Sequence, residues 1–182
     1  VDWYDKIYKS QAFSQEHNVS VTGGSKTINY YVSGNLLGQD GLMKLNQDIF
    51  NRYTISAKIG AKLTDWIDFN YSSRWIRQEY ERPADLADGL YQNLARQGWP
   101  NLPYYDPNGY LFSSPSPALG LRDRGQDKYQ KDWLYQQAQV VLEPIQNWKT
   151  FAEFNYRTED NFRHWDNQVT YNHDALGNPI PY

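Results

Sequence analysis

From Tyr53 to Leu63 the chain alternates without a break: Tyr53, Ile55, Ala57, Ile59, Ala61 and Leu63 fall on one side, Thr54, Ser56, Lys58, Gly60 and Lys62 on the other. A helix would mix these two sets around its circumference, whereas an extended strand separates them completely. The same separation recurs three times. Ile67, Phe69, Tyr71, Ser73 and Trp75 oppose Asp68, Asn70, Ser72 and Arg74; Trp148, Thr150, Ala152, Phe154 and Tyr156 oppose Lys149, Phe151, Glu153, Asn155 and Arg157. Ile28, Tyr30, Val32, Gly34 and Leu36 oppose Thr27, Asn29, Tyr31, Ser33 and Asn35. Weaker strands are expected over 18–23 and 133–143, the second gathering Leu134, Ala138, Val140 and Leu142 on one face. Most of the six exceed the roughly 5–6 residues of a globular strand. They suit a tilted strand crossing a bilayer, which needs about 9–11.

The connections alternate as strictly as the side chains. "GGSK", "TDW" and "PIQN" are hairpin-length turns with Gly, Asp, Asn and Pro in turn positions. Between them lie long connections over 37–52, over 80–131 and after Thr158. In an antiparallel meander all short turns then share one rim and all long loops the other, the asymmetry of outer-membrane barrels with periplasmic turns and extracellular loops. Inside the loops, a short helix is expected within 2–13. A better one is expected over 84–97, where Leu86, Leu90 and Leu94 make a stripe that ends at Gly98.

Composition narrows the alternatives. The 182 residues are 16% aromatic, which argues against disorder, and no apolar run approaches the ~18–20 residues of a membrane helix. With 21 acidic against 18 basic side chains and no basic run, no nucleic-acid partner is expected. Cys 0 excludes disulfides and thiolate chemistry. Aromatics gather near strand ends: Trp66 and Trp148 beside the short turns, Tyr53, Trp75, Tyr156 and Trp133 toward the long loops. That is the girdle expected of a lipid-facing surface. The opposite face, with Lys58, Asp68, Asn70, Arg74, Glu153, Asn155 and Arg157, is too polar for a dry core and calls for a wet lumen or a polar plug. A soluble sandwich or open barrel that binds carbohydrate is the alternative, and a passive porin a third reading. Six strands do not close a wide barrel, so residues 1–182 are expected to be part of a larger barrel domain.

Several segments resemble the SusC/RagA-type TonB-dependent transporters of Bacteroidota outer membranes. They are Asp2-Trp3-Tyr4-Asp5, His17-Asn18-Val19-Ser20-Val21, Gly23-Gly24, Tyr30-Tyr31, Gln39-Asp40-Gly41, Arg52-Tyr53 and Leu63-Thr64-Asp65-Trp66. The likeness is dense over 2–75 and thin to 112, where "LPYYDPNGY" is similar to the loop that follows in the family. The resemblance implies an all-β, antiparallel, up-and-down transmembrane barrel of about 22 strands around a plug. It further implies import driven by the TonB–ExbB–ExbD complex, a SusD-like surface lipoprotein as lid, and oligosaccharide substrates, or peptides in the RagA branch. The plug and its energy-coupling residues are expected outside these residues.

Sugar sites combine aromatic faces with amide, carboxylate and guanidinium groups that fix hydroxyls. On that chemistry the loop aromatics Trp99, Tyr104, Tyr105 and Tyr110 are candidates, with Trp165 and Tyr171 further on. On the lumen side Asn70, Arg74, Asn155 and Arg157 are candidates, expected in the half nearer the long loops. Trp3 and Tyr4 read as structural. No catalytic residue, metal site or cofactor is expected: Glu79/Glu81 and Glu159/Asp160 read as charges at strand exits, and His17, His164 and His173 lack ligand spacing. "NHDALGNP" clusters oxygens but lacks the alternating acids of a Ca²⁺ loop and reads as a turn.

Overall fold

The computed structural model describes residues 1–86, 89–111 and 116–182. Six antiparallel strands follow one another in space as they do in sequence: β1 (Ser14–Gly24), β2 (Ile28–Asp40), β3 (Ile49–Thr64), β4 (Ile67–Pro83), β5 (Gln126–Ile145) and β6 (Trp148–Trp165). The class is the one expected, an all-β up-and-down sheet of the transmembrane-barrel type, open between β1 and β6 within this chain. Three short turns join β1–β2, β3–β4 and β5–β6 on one rim, the last through Asn147 at φ 67°. Register shifts at Lys62/Thr64 and Leu142/Ile145 sit beside two of these turns.

The pairing register sorts side chains into cross-strand rows. On the apolar face, one row reads Tyr30, Ile59, Tyr71, Ala138 and Phe154, and another Val19, Gly34, Ile55, Trp75 and Leu134. No described element covers this face: Val19 is 70% exposed, Ile55 53% and Phe154 64%. A β-sandwich would bury these residues against a second sheet, and among the described residues none packs on them.

The strands are longer than their hydrophobic alternation. Beyond the row of Trp75 and Leu134, the same face carries Arg77 with Asp132, Glu79 with Gln130, and Glu81 with Lys128. Arg77 donates two hydrogen bonds to Asp132, at 2.8 and 2.9 Å, and its guanidinium stands 5.3 Å from the Trp75 ring centre. With the outer face now polar, the apolar/polar alternation vanishes while the backbone ladder continues. The expected long loop 80–131 therefore contracts to 84–125. Trp133 pairs with Ile76 and Glu159 on the polar face, so it is not part of the girdle.

The long connections form a cap with its own apolar core. Helix α1 (Trp3–Ile7) is shorter than the 2–13 expected and contributes Trp3 and Ile7; α2 (Leu90–Gln97) contributes Leu90 and Leu94; α3 (Ala118–Asp123) contributes Ala118, Leu119 and Leu121. Met43, Tyr104 and Leu111 complete it, with Leu86 packed at its edge. Of the helix expected over 84–97, residues 84–86 are not helical and 87–88 lie outside the described residues. Gly98 ends α2 where a Cβ would stand 2.4 Å from the Leu94 carbonyl oxygen and 3.0 Å from the Trp3 ring. Trp3 Nε1 donates to the Trp99 carbonyl at 3.0 Å, joining α1 to that turn. Asn46, at φ 67°, donates to the carbonyls of Arg122 and Gly125 and fastens the β2–β3 connection to α3.

Below the cap, Asp127 is 2% exposed and accepts from Arg163 at 2.8 and 3.0 Å and from Arg82 at 3.2 Å, binding β4, β5 and β6 at their upper ends. The two-faced sheet yields a direct test. In the full-length protein, Ile59→Arg on the apolar face should lower barrel stability by about 2–4 kcal/mol. Ser72→Arg on the polar face should change it little; folding titrations into lipid vesicles measure both.

Candidate functional site

The polar face is built by the same register. One row runs Ser33, Ser56, Arg74, Tyr135, Arg157, and the next toward the short turns runs Tyr31, Lys58, Ser72, Gln137, Asn155. Because strand side chains alternate, Arg74 and Arg157 flank Tyr135 as its cross-strand neighbours on β4 and β6. The Arg157 guanidinium lies 5.4 Å from the Tyr135 ring centre and reaches Glu159 at 2.9 Å. Arg74, Asn155 and Arg157 line one open hollow of about 460 Å³, with Lys58, Ser72 and Tyr135.

Asn70 lies elsewhere. It stands fourth from the start of β4, near the short-turn rim, and not in the half nearer the long loops. There it lines a second hollow of about 270 Å³ and donates to Gln139 at 3.3 Å. Tyr135 and Lys58 belong to the site but were missed as candidates. Their signal was present, since Tyr135 shares the odd-numbered face of β5 with Gln137 and Gln139.

The loop aromatics divide. Tyr104 is a core residue, 8% exposed, edge-on to Tyr105 at 4.8 Å and tilted against Trp3 at 6.0 Å. Burial raises its phenol above the ordinary pKa, so it stays neutral, and its ring is not available to a sugar. Tyr110 spends one face on His173, stacked at 3.5 Å with planes 14° apart. Trp99, Tyr105, Trp165 and Tyr171 remain exposed. Tyr4 was expected to be structural and donates to the Tyr91 carbonyl at 3.3 Å, with its ring 5.1 Å from that of Tyr91 and 6.3 Å from that of Tyr8.

Two turns of one design dock here. In Asp106–Tyr110 and Asp174–Asn178, the Asp carboxylate accepts from the amides two and four residues on, at 2.8 to 2.9 Å. Each Asp amide donates to the carbonyl of the fifth residue, and each fourth position is a glycine with positive φ, Gly109 at 88° and Gly177 at 84°. A side chain there would be strained. Asn108 then donates across to the Asp174 carbonyl at 3.0 Å, and the Tyr110–His173 stack closes the contact. The oxygen cluster of "NHDALGNP" is thus engaged within the turn that opens the β7 (Tyr171–His173) and β8 (Pro179–Pro181) hairpin.

The acidic pairs do not converge. Glu159 and Asp160 are sequence neighbours on a strand and point to opposite faces. Glu81 is held by Lys128 at 2.9 Å. Among the described residues no three His, Asp or Glu side chains are grouped to hold a metal.

An open sheet with an apolar outer face, a polar inner face and one capped rim is built as a portion of a transmembrane barrel, and sequence comparison finds a likeness to TonB-dependent receptors. The chain is similar to the TonB-dependent receptor SusC of Bacteroides thetaiotaomicron, 30% identical over 117 residues, covering 64% of this chain and 10% of that protein. It is also similar to the TonB-dependent receptor P3 of Formosa agariphila, 35% identical over 63 residues, covering 35% of this chain and 6% of that protein. The matches span about a tenth or less of these relatives' length. No protein-family profile matches the chain. The SusC-type likeness read from residues 2–75 therefore stands, and both relatives are named as receptors and not as enzymes.

Two outcomes test the cap. Tyr104→Ala should destabilise it by about 3–4 kcal/mol through the cavity left among Trp3 and the helices, read as faster proteolysis of 84–125 in the folded full-length protein. The second concerns pH. Hydrogen bonds from the Asn178 side chain and amide, then from the Leu176 and Gly177 amides, hold the Asp174 carboxyl below its ordinary pKa. Its stabilisation is complete above the unfolded value of about 4 and is lost as pH falls through the depressed folded value. The protection of the Gly177 and Asn178 amides, measured against their intrinsic exchange rate at each pH, should fall only below about pH 4, and Asp174→Asn should remove that dependence.

Proposed function

We propose that this chain is part of a TonB-dependent outer-membrane importer that takes up oligosaccharides. The single observation that carries the reading is the pairing of two surfaces on one rigid ladder: a polar face with Arg74, Arg157, Asn155 and Tyr135, and a rim cap with exposed Trp99 and Tyr105. Guanidinium and amide groups fix hydroxyls while aromatic rings cover sugar C–H faces. Exposed rings above a row of guanidinium and amide groups favour glycan over the peptide cargo of the RagA branch.

On this reading the short turns face the periplasm and the cap faces outward, where a SusD-like lipoprotein closes over it. TonB–ExbB–ExbD acts through a plug, and the substrate passes along the lumen face when the plug moves. The mechanism is carriage without bond cleavage, and outer-membrane lipid covers the apolar face.

Trp99 and Tyr105 carry little of the cap's packing, so they separate binding from folding. In the full-length protein, Trp99→Ala with Tyr105→Ala should weaken oligosaccharide binding by about tenfold or more, since aromatic contacts contribute about 0.5–1.5 kcal/mol each beyond buried area. Strand content should not change. Titration calorimetry with a panel of neutral and charged oligosaccharides, and with short peptides, reads the result. Unchanged glycan affinity in the variant would reject these two residues, and binding of peptides alone would replace the glycan reading with peptide import.

A further inference from the structure

The lumen hollow is unbalanced in charge. Its lining holds Lys58, Arg74 and Arg157 and no carboxylate, in a chain whose formal net charge is −3. Higher on this face the two arginines are paired, Arg52 with Glu16 at 3.9 Å and Arg163 with Asp127 at 2.8 Å, while Lys131 stands apart from the hollow. Arg157 is itself held by Glu159 and laid against Tyr135, which fixes its guanidinium at the edge of the hollow. Arg74, on the other side of Tyr135, and Lys58, one row toward the short turns, have no ion pair among the described residues. Ser72 is the cross-strand neighbour of Lys58, and Asn155, at the β6 side of the hollow, donates to Glu153 at 2.7 Å.

Two cations without an ion pair, Arg74 and Lys58, beside an Arg157 already paired with Glu159, leave the concavity net positive, and such a site attracts anions and holds them best where low-dielectric walls limit screening. A volume of about 460 Å³ falls in the range of organic-ligand sites rather than that of a single small ion. A guanidinium fork matches a carboxylate or a sulfate ester, both planar or trigonal oxygen arrays that accept two parallel hydrogen bonds. We infer that the Lys58–Arg74–Tyr135–Arg157 hollow is an anion subsite, and that the imported glycan is acidic, bearing uronate carboxylates or sulfate esters. Tyr135 presents Arg157, while Arg74 and Lys58 supply the charge that a neutral sugar would leave unused. This inference rests on the glycan-import reading and narrows its substrate class.

The test uses the full-length protein and three tetrasaccharides: tetragalacturonate, a sulfated galactan tetramer and the neutral galactan tetramer. Binding is measured at low and high salt, for the native chain and for Arg74→Gln with Lys58→Gln. The acidic tetramers should bind more tightly than the neutral one, lose affinity as salt rises, and weaken about tenfold or more in the double variant. The neutral tetramer should be insensitive to both changes. Which acidic tetramer binds better distinguishes the carboxylate from the sulfate source. Arg74→Lys should retain part of the affinity and Arg74→Gln none of the salt dependence that Arg74 contributes. If the neutral tetramer binds as well as the acidic ones in both proteins, the anion subsite is overturned while glycan import survives. If none of the three binds, both readings fall. A double variant that binds normally but melts at lower temperature would assign Arg74 and Lys58 to holding a protein segment in the lumen and would overturn the inference.

Discussion

Every backbone N–H and C=O that a strand carries into a hydrocarbon layer must find its partner on a neighbouring strand, because lipid offers none. That requirement organises the molecule. The ladder from β1 to β6 is continuous, with register changes confined to the short-turn side at Lys62/Thr64 and Leu142/Ile145. Once the ladder is fixed, period-2 alternation does the rest: Ile55 and Phe154 are committed to one solvent, Arg74 and Asn155 to the other. A one-residue slip would exchange them, so register and sidedness are one constraint. Among the described residues no element covers the apolar face of the sheet; on the importer reading lipid completes that face and the filling of the lumen completes the other.

The cap obeys different physics. It is stabilised as a small globular unit is, by burying Trp3, Ile7, Leu94, Leu121 and their neighbours from four separate stretches of chain. Asn46 ties the β2–β3 connection to α3, and the docked Asp-x-x-Gly turns tie the 104–111 stretch to the β7–β8 hairpin. Exposed rings such as Trp99 and Tyr105 are thereby mounted on an ordered base, which lowers the entropy lost when a ligand orders them further. Asp127, clasped by Arg82 and Arg163, sits where cap and ladder meet.

How much of this was legible in the sequence follows from the same division. The lipid-crossing parts announced themselves because an apolar solvent on one side alone imposes alternation; Tyr53 to Leu63 could be read without error. Past Trp75 and Leu134 both faces meet water, and the upper strands of Arg77, Glu79 and Lys128 lost their signal without losing their pairing. The cap core left no periodic trace, since Trp3, Met43 and Tyr104 come together only in three dimensions. Tyr104 was therefore mistaken for a free aromatic. Leu90 and Leu94 were legible as a helical stripe, but the start of that helix was not. Among lumen residues, face was predictable from parity and height was not, which is why Asn70 was placed on the correct side and at the wrong level. The shared Asp-x-x-Gly spacing at Asp106 and Asp174 was visible, but nothing in it foretold that the two turns would dock.

The extension of the strands past the lipid boundary sets an elevation. From Arg77 to the end of β4 at Pro83 is seven residues, about 23 Å of strand at ~3.3 Å per residue, or somewhat less in height once tilt is allowed for. On the importer reading the cap is carried on this paired stem as a platform on a turret, above the apolar band. On that reading a molecule approaching along the bilayer surface meets a wall of Glu79, Glu81 and Lys128, and one descending from above meets the mouth. Access is therefore decided by geometry before any side chain of the lumen is reached.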